Sequence, residues 1–164
     1  MHLGAFGLVL VACSGPTLSG NVFRSREVAF RVGPIPEHWR LVERPRVDGD
    51  LASFAYRSDP QGTIVSAAGR CGKDGDDVPL RSLTRHLTIG FTDRSVIEQR
   101  ELNLAGRAAL RTEMTARLDG VEKHLIFVVV KKDYCVYDFW RIGDAAPSET
   151  SEFDRFVSGF STLD

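Results

Sequence analysis

The chain has 164 residues, 43% of them hydrophobic and 26% charged, with a formal net charge of −1. That is enough apolar material for one sizeable core, in a chain too short to need two. It excludes a disordered polymer, a collagen and a disulfide-dense miniprotein, and near-neutral charge argues against a nucleic-acid binder, whose affinity rests on neutralising phosphates.

Leu3 to Ala12 (LGAFGLVLVA) is a run of ten residues without a charged or polar side chain. A bilayer span takes about 20 such residues, so the run has the length of a signal peptide's apolar region. It ends in Leu10-Val11-Ala12-Cys13, followed by Ser14-Gly15-Pro16, and this resembles a bacterial lipobox. The resemblance implies cleavage before Cys13, diacylation of its thiol and acylation of the new amino end. At ~0.8 kcal/mol per buried methylene, several chains anchor a protein durably. Ser14, in place of an aspartate, fits sorting to the outer membrane, with the domain facing the periplasm. The leader departs from the pattern in having no Lys or Arg ahead of the apolar run, and a buried strand ending in cysteine is the alternative. Residues 1–12 are thus read as leader, 13–26 as a lipidated tether and 27–164 as one globular domain.

Three cysteines are an odd number for an exported chain. With Cys13 given to lipid, Cys71 and Cys135 remain as a pair, and an oxidising compartment favours a disulfide between them over two separate buried thiols. It would close a loop of about 65 residues and contribute roughly 4 kcal/mol in the chain-entropy account.

Within the domain, Val28, Phe30 and Val32 alternate with Ala29 and Arg31 in a strand period, stopped by Gly33-Pro34-Ile35-Pro36. Trp39 to Glu43 extends again before a polar loop over Arg44 to Asp50. Leu51–Arg57 and Thr63–Cys71 read as a hairpin around Asp59-Pro60-Gln61-Gly62. A first helix starts with Asp77 as N-cap and Pro79 in its first turn, and presents Leu80, Leu83, Leu87 and Phe91 on one face.

A four-strand meander follows from Ser95 to Gly143. In it Ala108, Leu110, Thr112, Met114, Ala116 and Leu118 share one face, while Arg107, Arg111, Glu113, Thr115 and Arg117 share the other. Asp119-Gly120 marks a tight hairpin turn. Leu125 to Val130 (LIFVVV) is apolar at every position, so both faces of that strand must be covered. A second helix, capped by Ser151 to Asp154, aligns Phe153, Phe156, Val157 and Phe160. The expected fold is α+β: an α/β/α sandwich with a central antiparallel sheet and one helix on each face.

This order of parts resembles the PsbP-like superfamily. The soft patterns that carry the resemblance are Pro34, Pro36 and Trp39, Leu104-Ala105-Gly106-Arg107-Ala108-Ala109-Leu110, Leu118-Asp119-Gly120-Val121, Tyr137-Asp138-Phe139, and the closing Ser-Gly-Phe. The resemblance covers about residues 27 to 162 and implies a non-enzymatic accessory or assembly role on a larger membrane complex. No photosystem-specific feature accompanies it.

Motifs of chemistry are sparse. The chain has no G-x-S-x-G, P-loop, G-x-G-x-x-G or H-E-x-x-H. Asp74, Asp76 and Asp77 lack the EF-hand's spacing and distal glutamate, so no metal and no cofactor is expected. His86 lies off its helix's apolar face. Asp138, between Val136 and Trp140 on a strand face, reads as a partly buried carboxylate paired with an arginine. Trp39, Trp140, Tyr134, Tyr137 and Phe139 read as core rather than as pocket lining. The surface formed by Arg107, Arg111, Glu113 and Arg117 reads as wet and flat, the best candidate for binding a protein partner. The function expected is a membrane-anchored accessory subunit. A carrier holding a lipid or small apolar ligand between sheet and helix is the alternative, and it needs a cavity of several hundred cubic ångströms.

Overall fold

A computed structural model describes residues 15–58, 62–72, 77–143 and 147–163. The expected leader, Cys13, the Asp59-Pro60-Gln61 part of the first hairpin turn, and Asp74 and Asp76 lie outside the described residues. Among the described residues, eleven strands and two helices follow one another in the order β1 (Thr17–Ser19), β2 (Val22–Arg24), β3 (Ala29–Arg31), β4 (Trp39–Asp48), β5 (Leu51–Ser58), β6 (Thr63–Cys71), α1 (Leu80–Leu87), β7 (Thr92–Leu104), β8 (Arg107–Leu118), β9 (Val121–Lys132), β10 (Cys135–Gly143), α2 (Pro147–Ser158) and β11 (Ser161–Thr162).

Seven strands form one antiparallel sheet in the order β4-β5-β6-β10-β9-β8-β7. Two hairpin-built blocks meet at a single non-sequential seam, where β10 pairs with β6. The meander forms as expected, and its turns obey the chirality of tight hairpins: Ala105-Gly106 and Asp119-Gly120 all have positive φ. The β9 run Leu125 to Val130 is buried at every position. Successive strand residues point to opposite faces. Ile126, Val128 and Val130 accordingly join one cluster, with Phe139, Phe153 and Phe156. Val129 joins Leu83 of α1 and Val136, and Leu125 and Phe127 join Met114.

A second sheet, β1-β2-β3-β11, was not anticipated. Its first hairpin stands where the sequence reads as tether. Phe23 is fully buried, with its ring 5.2 Å from that of Phe30 and 5.6 Å from that of Phe54. A three-residue strand with one buried side chain has no alternation to detect. Two further corrections concern boundaries. β4 runs on to Asp48 through the expected loop, with Val47 opposite Ala52 and two register shifts on the way. As an edge strand it tolerates Pro45, which falls within the second register shift, between Glu43 and Arg46. α2 begins at Pro147, so Ser151 lies inside the helix instead of capping it; similarly α1 takes Pro79, not Asp77, as its N-cap residue.

Gly33 is a point of close approach. Its N–H donates to the Phe156 carbonyl at 2.7 Å, and a Cβ there would collide with the Arg155 backbone. Cys71 and Cys135 are register partners across the β6–β10 seam and form a disulfide, with Cα atoms 4.0 Å apart. The bond therefore staples the one pairing in the large sheet that chain continuity does not bring together, where loop closure costs the most entropy.

Candidate functional site

Two places gather polar side chains against the large sheet. The first lies on the Ile126–Val128 face. Arg111, 5% exposed, sits at the centre of β8. Its Nη1 donates to Glu113 Oε2 at 2.7 Å and its Nε reaches Asp154 Oδ1 of α2 at 3.4 Å. Glu113 Oε1 is 2.9 Å from His124 Nε2, and His124 Nδ1 is 3.2 Å from Arg141 Nη1. Arg141 is fully buried. Burial pushes the Glu113 carboxyl up, but hydrogen bonds and charge from Arg111 and His124 outweigh it and hold the group below the usual carboxylate range. This chain of ionic groups satisfies charges that would otherwise be costly beneath a helix.

The expected partner surface is thereby divided. Arg111 and Glu113 are not wet: α2 lies over the middle of β8 and Asp154 engages Arg111. Arg107 and Arg117 are exposed, at opposite ends of the strand, and Arg117 makes a 3.7 Å ion pair with exposed Asp93, an arrangement worth little in water. Periodicity placed all four residues on one face correctly. It carried no information on where α2 would cross.

The second place is a groove of about 370 Å³ between α1 and strands β7 and β8. Arg81, Thr84, Arg85 and Thr88 contribute from the helix side, a stripe at helical spacing. Val96 and Met114 supply an apolar floor, and Arg94 stands at the same groove, its Nη1 donating to Thr88 Oγ1 at 3.0 Å. Gln99 Nε2 donates to Thr112 Oγ1 at 2.9 Å along the wall. Among the described residues the lining contains three arginines and no carboxylate. The sequence reading missed this groove, since its residues come from three elements and none belongs to a motif.

Asp138 is 1% exposed and its Oδ2 accepts from Arg70 Nη1, as the strand pattern suggested. Burial pushes its carboxyl up, and Arg70 draws it back only in part. Trp39, Tyr137 and Phe139 are core, whereas Tyr134 is 73% exposed in a turn with positive φ and so departs from the core reading. His86 is exposed.

Neither a family model nor a curated protein sequence matches the chain. Solved structures do. Cyanobacterial PsbP (CyanoP) from Synechocystis sp. PCC 6803 aligns with a TM-score of 0.58 at 14% identity, over 98% of this chain and 99% of that one. LpqN, involved in cell envelope biogenesis of Mycobacterium tuberculosis, aligns with a TM-score of 0.51 at 14% identity, over 84% of this chain and 86% of that one. A protein of Bacteroides thetaiotaomicron aligns with a TM-score of 0.57 at 9% identity, over 82% of this chain and 45% of that one. The fold is PsbP-like.

Proposed function

We propose that this chain is a lipid-anchored cell-envelope protein that acts as a non-enzymatic accessory or assembly subunit by docking a protein partner. In this reading Cys13 carries the lipid, residues 1–12 are removed, and the α/β/α domain faces the periplasm from the outer membrane. The sandwich, with one helix on each face, is supported by the grouping of Leu83 with Val129 and of Phe156 with Val128. The Cys71–Cys135 disulfide suits an oxidising compartment. The shared fold with LpqN, an envelope-biogenesis protein, and with cyanobacterial PsbP supports the same assignment.

The observation that carries docking is β7. This edge strand of 13 residues is exposed from Thr92 to Glu101. Ile97 is the extra residue of a bulge between Val96 and Glu98, so two consecutive apolar side chains stand 57% and 58% exposed. An edge offers unpaired N–H and C=O groups to an incoming strand, and Arg107 and Arg117 stand open beside its two ends. The test is a detergent pull-down of the tagged protein from native membranes, with Cys13→Ser as the unanchored control. The expected result is one stoichiometric partner, lost in the control and weakened by Ile97→Asp or by Arg107→Glu with Arg117→Glu. Full retention in all three would overturn the reading.

The groove at α1 favours a second reading, a carrier for a lipid or small apolar ligand. Its volume of about 370 Å³ falls within the range of small-molecule sites.

A further inference from the structure

The α1 groove combines features that are unusual together on the described surface of this molecule. Arg81 and Arg85 lie one turn apart on the exposed flank of α1 and, among the described residues, have no acidic partner. Arg94 approaches from the start of β7 and is held in place by the carbonyl and hydroxyl of Thr88. Three other arginines of the meander are matched by carboxylates: Arg100 by Glu98, Arg117 by Asp93, and buried Arg111 by Glu113 and Asp154. Three uncompensated guanidinium groups around one concavity raise the local concentration of anions and offer forked donors that match a carboxylate or phosphate.

The floor is of the opposite character. Met114 is buried within the cluster that includes Leu125 and Phe127. Val96 is 57% exposed in the same groove, an apolar side chain that a ligand's hydrocarbon would cover. A bare inorganic anion would use the arginines and leave that floor wet; a neutral lipid would use the floor and leave the arginines idle. At about 370 Å³ the groove is near the lower limit for ligand sites, which suits one acyl chain and not two.

We propose that the groove between α1 and strands β7 and β8 binds a single-chain anionic amphiphile, with its charged head on Arg81 and Arg85 and its chain along Val96 and Met114. The site deepens the carrier reading and rests on it. The ligand would cover Val96 and leave Ile97 to the partner, so the two sites adjoin on β7.

The test is isothermal titration of the full chain bearing Cys13→Ser, which keeps the protein's own lipid out of the cell, with decanoate, 1-decanol and inorganic phosphate as probes. The expected result is saturable decanoate binding at least tenfold tighter than that of decanol or phosphate. Arg81→Gln with Arg85→Gln should weaken decanoate about tenfold, bringing it near decanol, while the melting temperature stays unchanged because both side chains are exposed. Arg107→Gln, outside the groove, should leave binding intact. Equal affinity for decanol overturns the anionic head but leaves the carrier reading standing. Equal affinity for phosphate overturns the acyl chain, and an unaffected double variant overturns the location. Binding of neither decanoate nor decanol overturns the proposal and the carrier reading together.

Discussion

On one face of the seven-stranded sheet, Phe23, Phe30, Phe54, Phe139, Phe153, Phe156 and Phe160 are buried together with Tyr137 and Trp39 in a single cluster, nearly every ring within 6.4 Å of a neighbour. On the other face, the apolar contacts divide into two small groups, one around Leu83, Val129 and Val136 and one around Met114, Leu125 and Phe127. The first face is closed by the second sheet and α2; the second carries an eight-residue helix, too short to cover strands of nine to thirteen residues. The contrast assigns stability and binding to opposite sides of one sheet. Rings packed on the closed face fix the fold, and the thin cover on the other leaves room for a groove, at a modest cost in buried area.

Substitutions in the two cores test that contrast most directly. Phe30→Ala should cost about 3–5 kcal/mol, because its pocket is walled by Phe23, Phe54, Tyr137 and Phe160 and cannot collapse. Leu83→Ala, on the inner face of a short helix that can settle inward, should cost about 2–3 kcal/mol. Urea denaturation of both variants decides, and a larger loss at Leu83 would break the comparison. Close to the Phe30 effect in size is that of the seam. Cys71→Ser with Cys135→Ser should lower stability by roughly 4 kcal/mol, and reduction of the wild type should add about two daltons to its mass, one hydrogen per sulfur.

A third test concerns the carboxylate buried beneath the thin cover. Arg70→Met alone leaves the Asp138 carboxyl buried at 1% exposure without its cation, which should cost about 3 kcal/mol; Arg70→Met with Asp138→Leu should recover most of it. A double variant no more stable than the single one would mean that the pair does more than compensate itself. The smallest effect belongs to the network beside α2. Glu113 is held below its unfolded value, so it contributes stability that is present above about pH 4.5 and lost as pH falls through its folded value. Glu113→Gln should therefore cost about 1 kcal/mol at pH 7 and flatten the acid limb of a pH–stability curve. An unchanged acid limb would show that the titration arises elsewhere.

Long elements with a strong period were legible from residues alone: the β5–β6 hairpin, the meander, the Asp119-Gly120 turn, the two helices and the doubly covered strand Leu125 to Val130. So was the burial of Asp138, because a carboxylate flanked by Val136 and Trp140 at alternate positions must face inward with them. The hairpin at Thr17 to Arg24 was not legible, since Phe23 finds its neighbours in β3 and β5 and not in its own segment. The continuation of β4 was hidden by Pro45 and by polar residues that an edge strand can carry on both sides. The candidate partner surface was half legible: period 2 aligned Arg107, Arg111, Glu113 and Arg117, but the crossing of α2 decided that Arg111 is buried and Glu113 half-buried while the outer pair is open. The sequence by itself determined the period, the turns, the pool of cysteines and the apolar run that ends at Cys13, all of which depend on neighbours along the chain. Only the tertiary structure decided that Cys71 faces Cys135, that the β6–β10 seam joins the two halves, and that three arginines from α1 and β7 surround one apolar floor. Those outcomes depend on which surfaces are left over once the largest aromatic cluster has closed, and no local pattern records that.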